Sequence, residues 1–109
     1  KTVEEITDQK GDIMSIVLIG GLDRLKNEYK GIASKYGHRL KVMSQMTPNF
    51  SKTIGKPDVI ILFTDIVSHP MVTTAVKTAK RKKVPVIRAH RSSSNSLEEM
   101  MTQIHTMVG

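Results

Sequence analysis

The chain of 109 residues contains no cysteine. That excludes disulfides, a thiolate nucleophile, cysteine-based zinc or iron–sulfur sites and a covalent CxxCH haem attachment. It also excludes the small domains that carry a phosphorylated cysteine after their first strand. No tryptophan is present, and the aromatics are Tyr29, Tyr36, Phe50 and Phe63. No apolar run approaches the ~18 residues of a membrane helix. No charged, apolar and small-residue series resembling a secretion signal opens the chain. These absences point to a soluble, cytoplasmic protein with no membrane partner. "GGLDRL" is not GxGxxG, and no GxxxxGK[ST] occurs, so the usual dinucleotide and P-loop signatures are missing.

What the sequence contains is globular and basic. Apolar residues make up 39% and charged residues 25%, and the length suits one domain. Met14 begins "MSIVLIGG", so residues 1–13 read as a leader, the tail of an upstream segment or appended sequence, and 14–109 as a single α/β domain. Lys+Arg total 17 against 10 Asp+Glu, a net charge of +7. The excess concentrates at 75–91, "AVKTAKRKKVPVIRAHR", where Lys77, Lys80, Arg81, Lys82, Lys83, Arg88 and Arg91 occur without one acid. Such a run attracts anions. It also suits a solvated helix end whose cations complement the helix dipole. A nucleic-acid or protein-interaction accessory acting through the basic helix is a lesser expectation; for nucleic acid, no aromatic lies in this run and no recognised binding motif accompanies it.

Hydrophobic patterning alternates between strand and helix periods. "SIVLIG" (15–20) is a short β-branched run, and Leu22, Leu25, Tyr29, Ile32, Ala33 and Tyr36 then recur at helical spacing up to Gly37. "HRLKVMSQ" (38–45) predicts a second strand, followed by a turn-rich link with a short helix around 49–55. "DVIILFTD" (58–65) predicts a third strand. Pro70 suits the first turn of a helix whose apolar face is Met71, Val72, Ala75, Val76 and Ala79. "VPVIRA" (84–89) predicts a fourth strand. The last helix carries Leu97, Met100, Met101, Ile104, Met107 and Val108, with Ser96 and Glu99 at capping-box spacing. The order implies a small Rossmann-like or flavodoxin-like three-layer sandwich of about four mostly parallel strands in the order 2-1-3-4.

In such a sheet, ligands gather at the carboxyl ends of the strands. Three groups should meet there: Gly20, Gly21, Asp23 and Arg24 after strand one; Asp65, Ser68 and His69 after strand three; Arg88, His90, Arg91, Ser92 and Ser93 after strand four. Each has a plainer reading. The glycines can turn the chain with Asp23 capping, and Asp65 or Ser68 can bond the amides of the following helix. The histidines can be exposed bystanders. A Ser68–His69–Asp65 relay is disfavoured, because adjacent Ser and His do not aim at each other from one helix start. His69, His90 and Asp65 match no closed zinc spacing.

The segments "IVLIGGLDRLKNEYKGIASKYG" and "PDVIILFTDIVSHPMVTTAVKTAKRKKVPVIRAHRSSSNSLEEM" resemble the bacterial domain-of-unknown-function family 2325 over roughly residues 14–101. The resemblance implies a Rossmann-like fold and strengthens Gly20, Gly21, Asp65, Ser68 and His69 as site candidates. It brings no established enzymatic activity with it. The expected function is a non-enzymatic module, as a homodimer, binding an anionic small molecule or cofactor through Arg24, Arg88, Arg91 and helix amino termini. The alternative is noncovalent haem binding through His69, His90, Met71 or Tyr29. Dimerisation is expected from Met101 or Met107 standing outside the core face of the last helix.

Overall fold

A computed structural model describes residues 13–108, with side chains described through residue 104. The predicted leader, residues 1–13, lies outside the described residues except for Ile13, and so does the side chain of Met107. The elements run β1 (Ser15–Ile19), a 3-10 turn (Asp23–Leu25), α1 (Lys26–Lys35), β2 (Arg39–Met43), α2 (Phe50–Ile54), β3 (Val59–Phe63), α3 (His69–Lys82), β4 (Val86–Ala89) and α4 (Ser94–Val108). All pairings are parallel, in the order β2-β1-β3-β4. The predicted architecture and strand order are those observed.

Two helical layers divide the side chains of the central strands. Ile16, Leu18, Val59, Ile61 and Phe63 face Tyr29 and Ala33 of α1 and Leu97, Met101 and Ile104 of α4. Val17, Ile19, Ile60 and Leu62 face Phe50 and Ile54 of α2 and Met71, Ala75 and Ala79 of α3. β1 and β3 are therefore apolar on both faces, which explains why each reads as a continuous apolar run rather than an alternating one. At roughly 25 cal/mol per Å2 of buried apolar surface, this two-sided packing supplies most of the drive to fold.

The helix ends show where local chemistry decides. Ser68 caps α3, its hydroxyl accepting from the Met71 amide at 3.4 Å, and Pro70 sits in the first turn where no amide is needed. At the other end Lys83 adopts the left-handed conformation, with φ of 58°, and closes the helix without glycine. The predicted cap of the last helix is displaced. Ser93, not Ser96, is the cap: its hydroxyl accepts from the Ser96 amide at 3.2 Å and donates to the Ser96 hydroxyl. α4 consequently starts at Ser94, and Ser96 lies within its first turn.

Met101 is fully buried, so the exposure expected of it as a dimer contact is not found. Its position one residue after Met100 still falls within the apolar face because α4 is covered by both the sheet and α1. Among the described residues, no helix is long and apolar enough to cross a membrane.

Candidate functional site

The carboxyl ends of β1, β3 and β4 are tied together by one bonding lattice. Gly20 and Gly21 have φ of +94° and +89°, a region that L side chains rarely adopt. A Cβ on Gly20 would stand 2.7 Å from the Ile66 carbonyl and 2.8 Å from that of Phe63. The Gly20 amide donates to the Met43 carbonyl at 3.0 Å, and the Gly21 amide to the Ile66 carbonyl at 2.9 Å. The glycines thus bring the loop after β3 onto the loop after β1. The chain itself occupies the switch point between β1 and β3, where a doubly wound sheet usually opens its ligand crevice. The amides of Gly20 and Gly21 are committed to protein carbonyls.

Asp65 reaches across to the loop after β4 rather than capping α3. Its carboxylate accepts from the Ser92 amide at 3.1 Å and from the Ser92 hydroxyl, holding the loop before α4. From the other side the buried Tyr29 hydroxyl donates to the Ser92 carbonyl at 2.5 Å and accepts from the Leu22 amide at 3.1 Å. Ser92 is therefore held by its amide, hydroxyl and carbonyl, which explains why a serine in a polar loop is only 3% exposed. Desolvation opposes ionisation of Asp65, but the bonds from Ser92 and its own amide, together with nearby His90, outweigh it and lower the carboxyl pKa below the usual 3.8. Desolvation raises the Tyr29 phenol above 10.0 against the opposing Leu22 bond.

Beside this lattice lies an open cleft of about 440 Å3, walled by Leu22, Ile66, Asp65, His90, Arg91, Ser92 and Ser93. Leu22 and Ile66 form its apolar side; Ile66 is 41% exposed. His90 and Arg91 also border a second hollow of about 300 Å3 with Arg88, Ser96, Glu99 and Gln103, and so form the ridge between the two. Arg88 belongs to that second hollow. Asp23 lies on the far side of β1, where its carboxylate accepts from Ser44 at 2.6 Å and stands 3.8 Å from Lys26. It does not cap the following helix, since the 3-10 turn has no side-chain cap. Arg24 is exposed on that turn, near Tyr29.

The three predicted residue groups do share the carboxyl edge, but they do different things there. Asp65 and Ser92 build the wall, Ser93 and Ser68 cap helices, and His90 and Arg91 face the cleft. His69, the exposed first residue of α3, is absent from that wall. Of the side chains nominated for haem iron, Met71 is packed beneath the sheet at 2% exposure and Tyr29 is wholly buried with its hydroxyl doubly bonded. The exposed nominees are His69 and His90. Among the described residues, no group of three His, Asp or Glu side chains is arranged to hold a metal ion. Sequence reasoning missed Leu22 and Ile66 as cleft residues; an apolar side chain directly after Asp65, beyond the end of the strand, was the available signal.

A family model described as "Uncharacterized protein conserved in bacteria (DUF2325)" matches residues 15–104. No curated protein matches the sequence. Among solved structures, the fold is similar to the lactose-specific IIB component domain of the phosphoenolpyruvate:carbohydrate phosphotransferase system from Streptococcus pneumoniae. The TM-score is 0.54 at 12% sequence identity, covering 88% of this chain and 94% of that one. At that identity the likeness is one of fold.

Proposed function

The chain belongs to the DUF2325 family, and proceeding from that membership we propose that it is a non-enzymatic binding module for a small anionic molecule with an apolar body. The observation that carries this reading is the cleft between the loops after β3 and β4, which sets Leu22 and Ile66 against His90 and Arg91. Its wall contains one carboxylate, Asp65, whose oxygens already accept from Ser92. An incoming anion therefore meets a guanidinium and an imidazole, beside a carboxylate whose oxygens are turned to Ser92 by hydrogen bonds. The same commitment of Asp65 and Ser68 to holding loops and caps favours binding over proton transfer.

Isothermal titration with inorganic phosphate, citrate and adenosine monophosphate tests the reading. Saturable binding of an anion, weakened about tenfold or more in Arg91→Ala, is the expected result. Equal affinities in the wild type and Arg91→Ala would remove the cleft as the site. A homodimer remains part of the proposal. With Met101 in the core, the exposed large apolar side chains among the described residues are Met46 and Ile66 at the carboxyl edge and Ile13 before β1, and light scattering at micromolar concentration reads the mass directly.

A further inference from the structure

The opposite, amino-terminal edge of the sheet gathers cations that the sequence separates widely. In the β1–β2 register Ser15 pairs with Arg39 and Val17 with Lys41. Val17 belongs to the core under α2 and α3, so the pairing puts Arg39 and Lys41 on that face of the edge strand. The chain leaving α2 brings Lys56 beside them, and Arg39, Lys41 and Lys56 together border a cleft of about 310 Å3. The basic end of α3 comes to the same place, because Lys82 donates to the Gly55 carbonyl at 2.6 Å while Lys41 donates to the Thr53 carbonyl at 2.8 Å. Lys80 and Lys83, which precede and follow Lys82 at this end of α3, are exposed.

Complementing helix dipoles does not account for so much charge. Each helix carboxyl end is equivalent to about half a negative elementary charge, so α2 and α3 together offset roughly one of these cations. Among the described residues, the carboxylate at this edge is Asp58, which accepts from the Ser15 amide at 2.7 Å. Among the described residues the ion pairs are Lys26–Asp23 and Lys35–Glu98, both involving α1 rather than this face. Arg39, Lys56, Lys80 and Lys83 are thus exposed and without an acidic partner among the described residues.

We infer that this edge is a second binding surface, distinct from the cleft at the carboxyl edge, and that its partner is duplex nucleic acid held through its phosphates without reading of sequence. A duplex presents about one negative charge per 1.7 Å of axis, a density suited to several fixed cations contributed by three segments. Stacking on unpaired bases has no platform here: Phe50 is 1% exposed, and Tyr29, Tyr36 and Phe63 pack on the other side of the sheet. Phosphate contacts of this kind position a partner without specifying bases.

The test is fluorescence anisotropy of the full chain with a labelled random-sequence duplex, repeated across a potassium chloride series. A linear fall of log affinity with log salt is expected, with a slope of about −4 for four or five phosphates neutralised. Arg39→Gln with Lys56→Gln should make that slope shallower by about two and weaken binding at low salt about tenfold. Lys26→Gln with Lys30→Gln removes the same charge from α1 and should change neither by a comparable amount. Circular dichroism confirms that each variant is folded. If the Arg39/Lys56 pair costs no more than the Lys26/Lys30 pair, the surface is refuted and the charge acts only as a diffuse field. Tighter retention by phosphatidylglycerol vesicles than by the duplex would overturn the assignment in favour of a membrane surface.

Discussion

Replacing Tyr29 with Phe removes one oxygen from the middle of the lattice at the carboxyl edge. That oxygen accepts from the Leu22 amide and donates to the Ser92 carbonyl. Ser92 is 3% exposed, so its carbonyl would lose a partner with almost no access to water, at about 1–3 kcal/mol. Leu22 is only half-buried and its amide regains some solvation, which adds a smaller loss of about 0.5–1 kcal/mol. The expected total is about 1.5–4 kcal/mol, a fall in melting temperature of roughly 6–16 °C at about 4 °C per kcal/mol for a domain near this size. Urea unfolding followed by circular dichroism should show a lower midpoint at unchanged slope.

Because Asp65 grips the same Ser92 from the other side, Tyr29→Phe and Asp65→Asn should be non-additive by about 0.5 kcal/mol or more in a double-mutant cycle. Burial raises the Tyr29 phenol above 10.0. Its contribution is therefore fully present below pH 10.0 and lost as pH rises through the higher folded value, a dependence that Tyr29→Phe should remove. A loss below 0.5 kcal/mol, with strictly additive variants, would refute the lattice as a stabilising unit.

The depressed Asp65 carboxyl should contribute stability that is fully present above its unfolded value of 3.8 and disappears as pH falls through the lower folded value; acid titration of melting temperature in Asp65→Asn should be flatter than in the wild type over that window. Ser68→Ala should cost about 1 kcal/mol of stability through loss of the α3 cap while leaving anion affinity near its original value, whereas Arg91→Ala should cost about 1–3 kcal/mol of affinity with little effect on melting. Gly20→Ala should destabilise by about 3 kcal/mol or prevent folding, since both its φ and the Ile66 carbonyl exclude a Cβ; a variant melting within a degree of the wild type would contradict the close approach. With Met71 and Tyr29 enclosed, His69 and His90 are the exposed side chains left for haem iron; in a haemin titration a sharp Soret band that shifts in His69→Ala or His90→Ala would move the function to haem, and a broad free-haem spectrum in all variants would remove that alternative.

The sequence by itself determined the fold class and strand order. Short apolar runs bounded by glycine and proline can hardly be anything but buried parallel strands when amphipathic segments alternate with them, and right-handed crossovers then limit the order. It also determined the Ser68 cap and Pro70 in the first turn of α3, because capping involves residues only a few positions apart. Contacts across the chain decided the rest. Asp65 and Ser92 are 27 positions apart and Tyr29 and Ser92 are 63, so nothing local reveals that an acid, a phenol and a serine form one clamp. The glycine pair announced a turn, but only the packed loops show that it admits the Ile66 backbone rather than a ligand. The basic run was visible as local charge, while its union with Arg39, Lys41 and Lys56 depended on the β1–β2 register and on where α2 ends. Periodicity specifies which face a residue takes within its own element; tertiary packing decides which other elements that face meets.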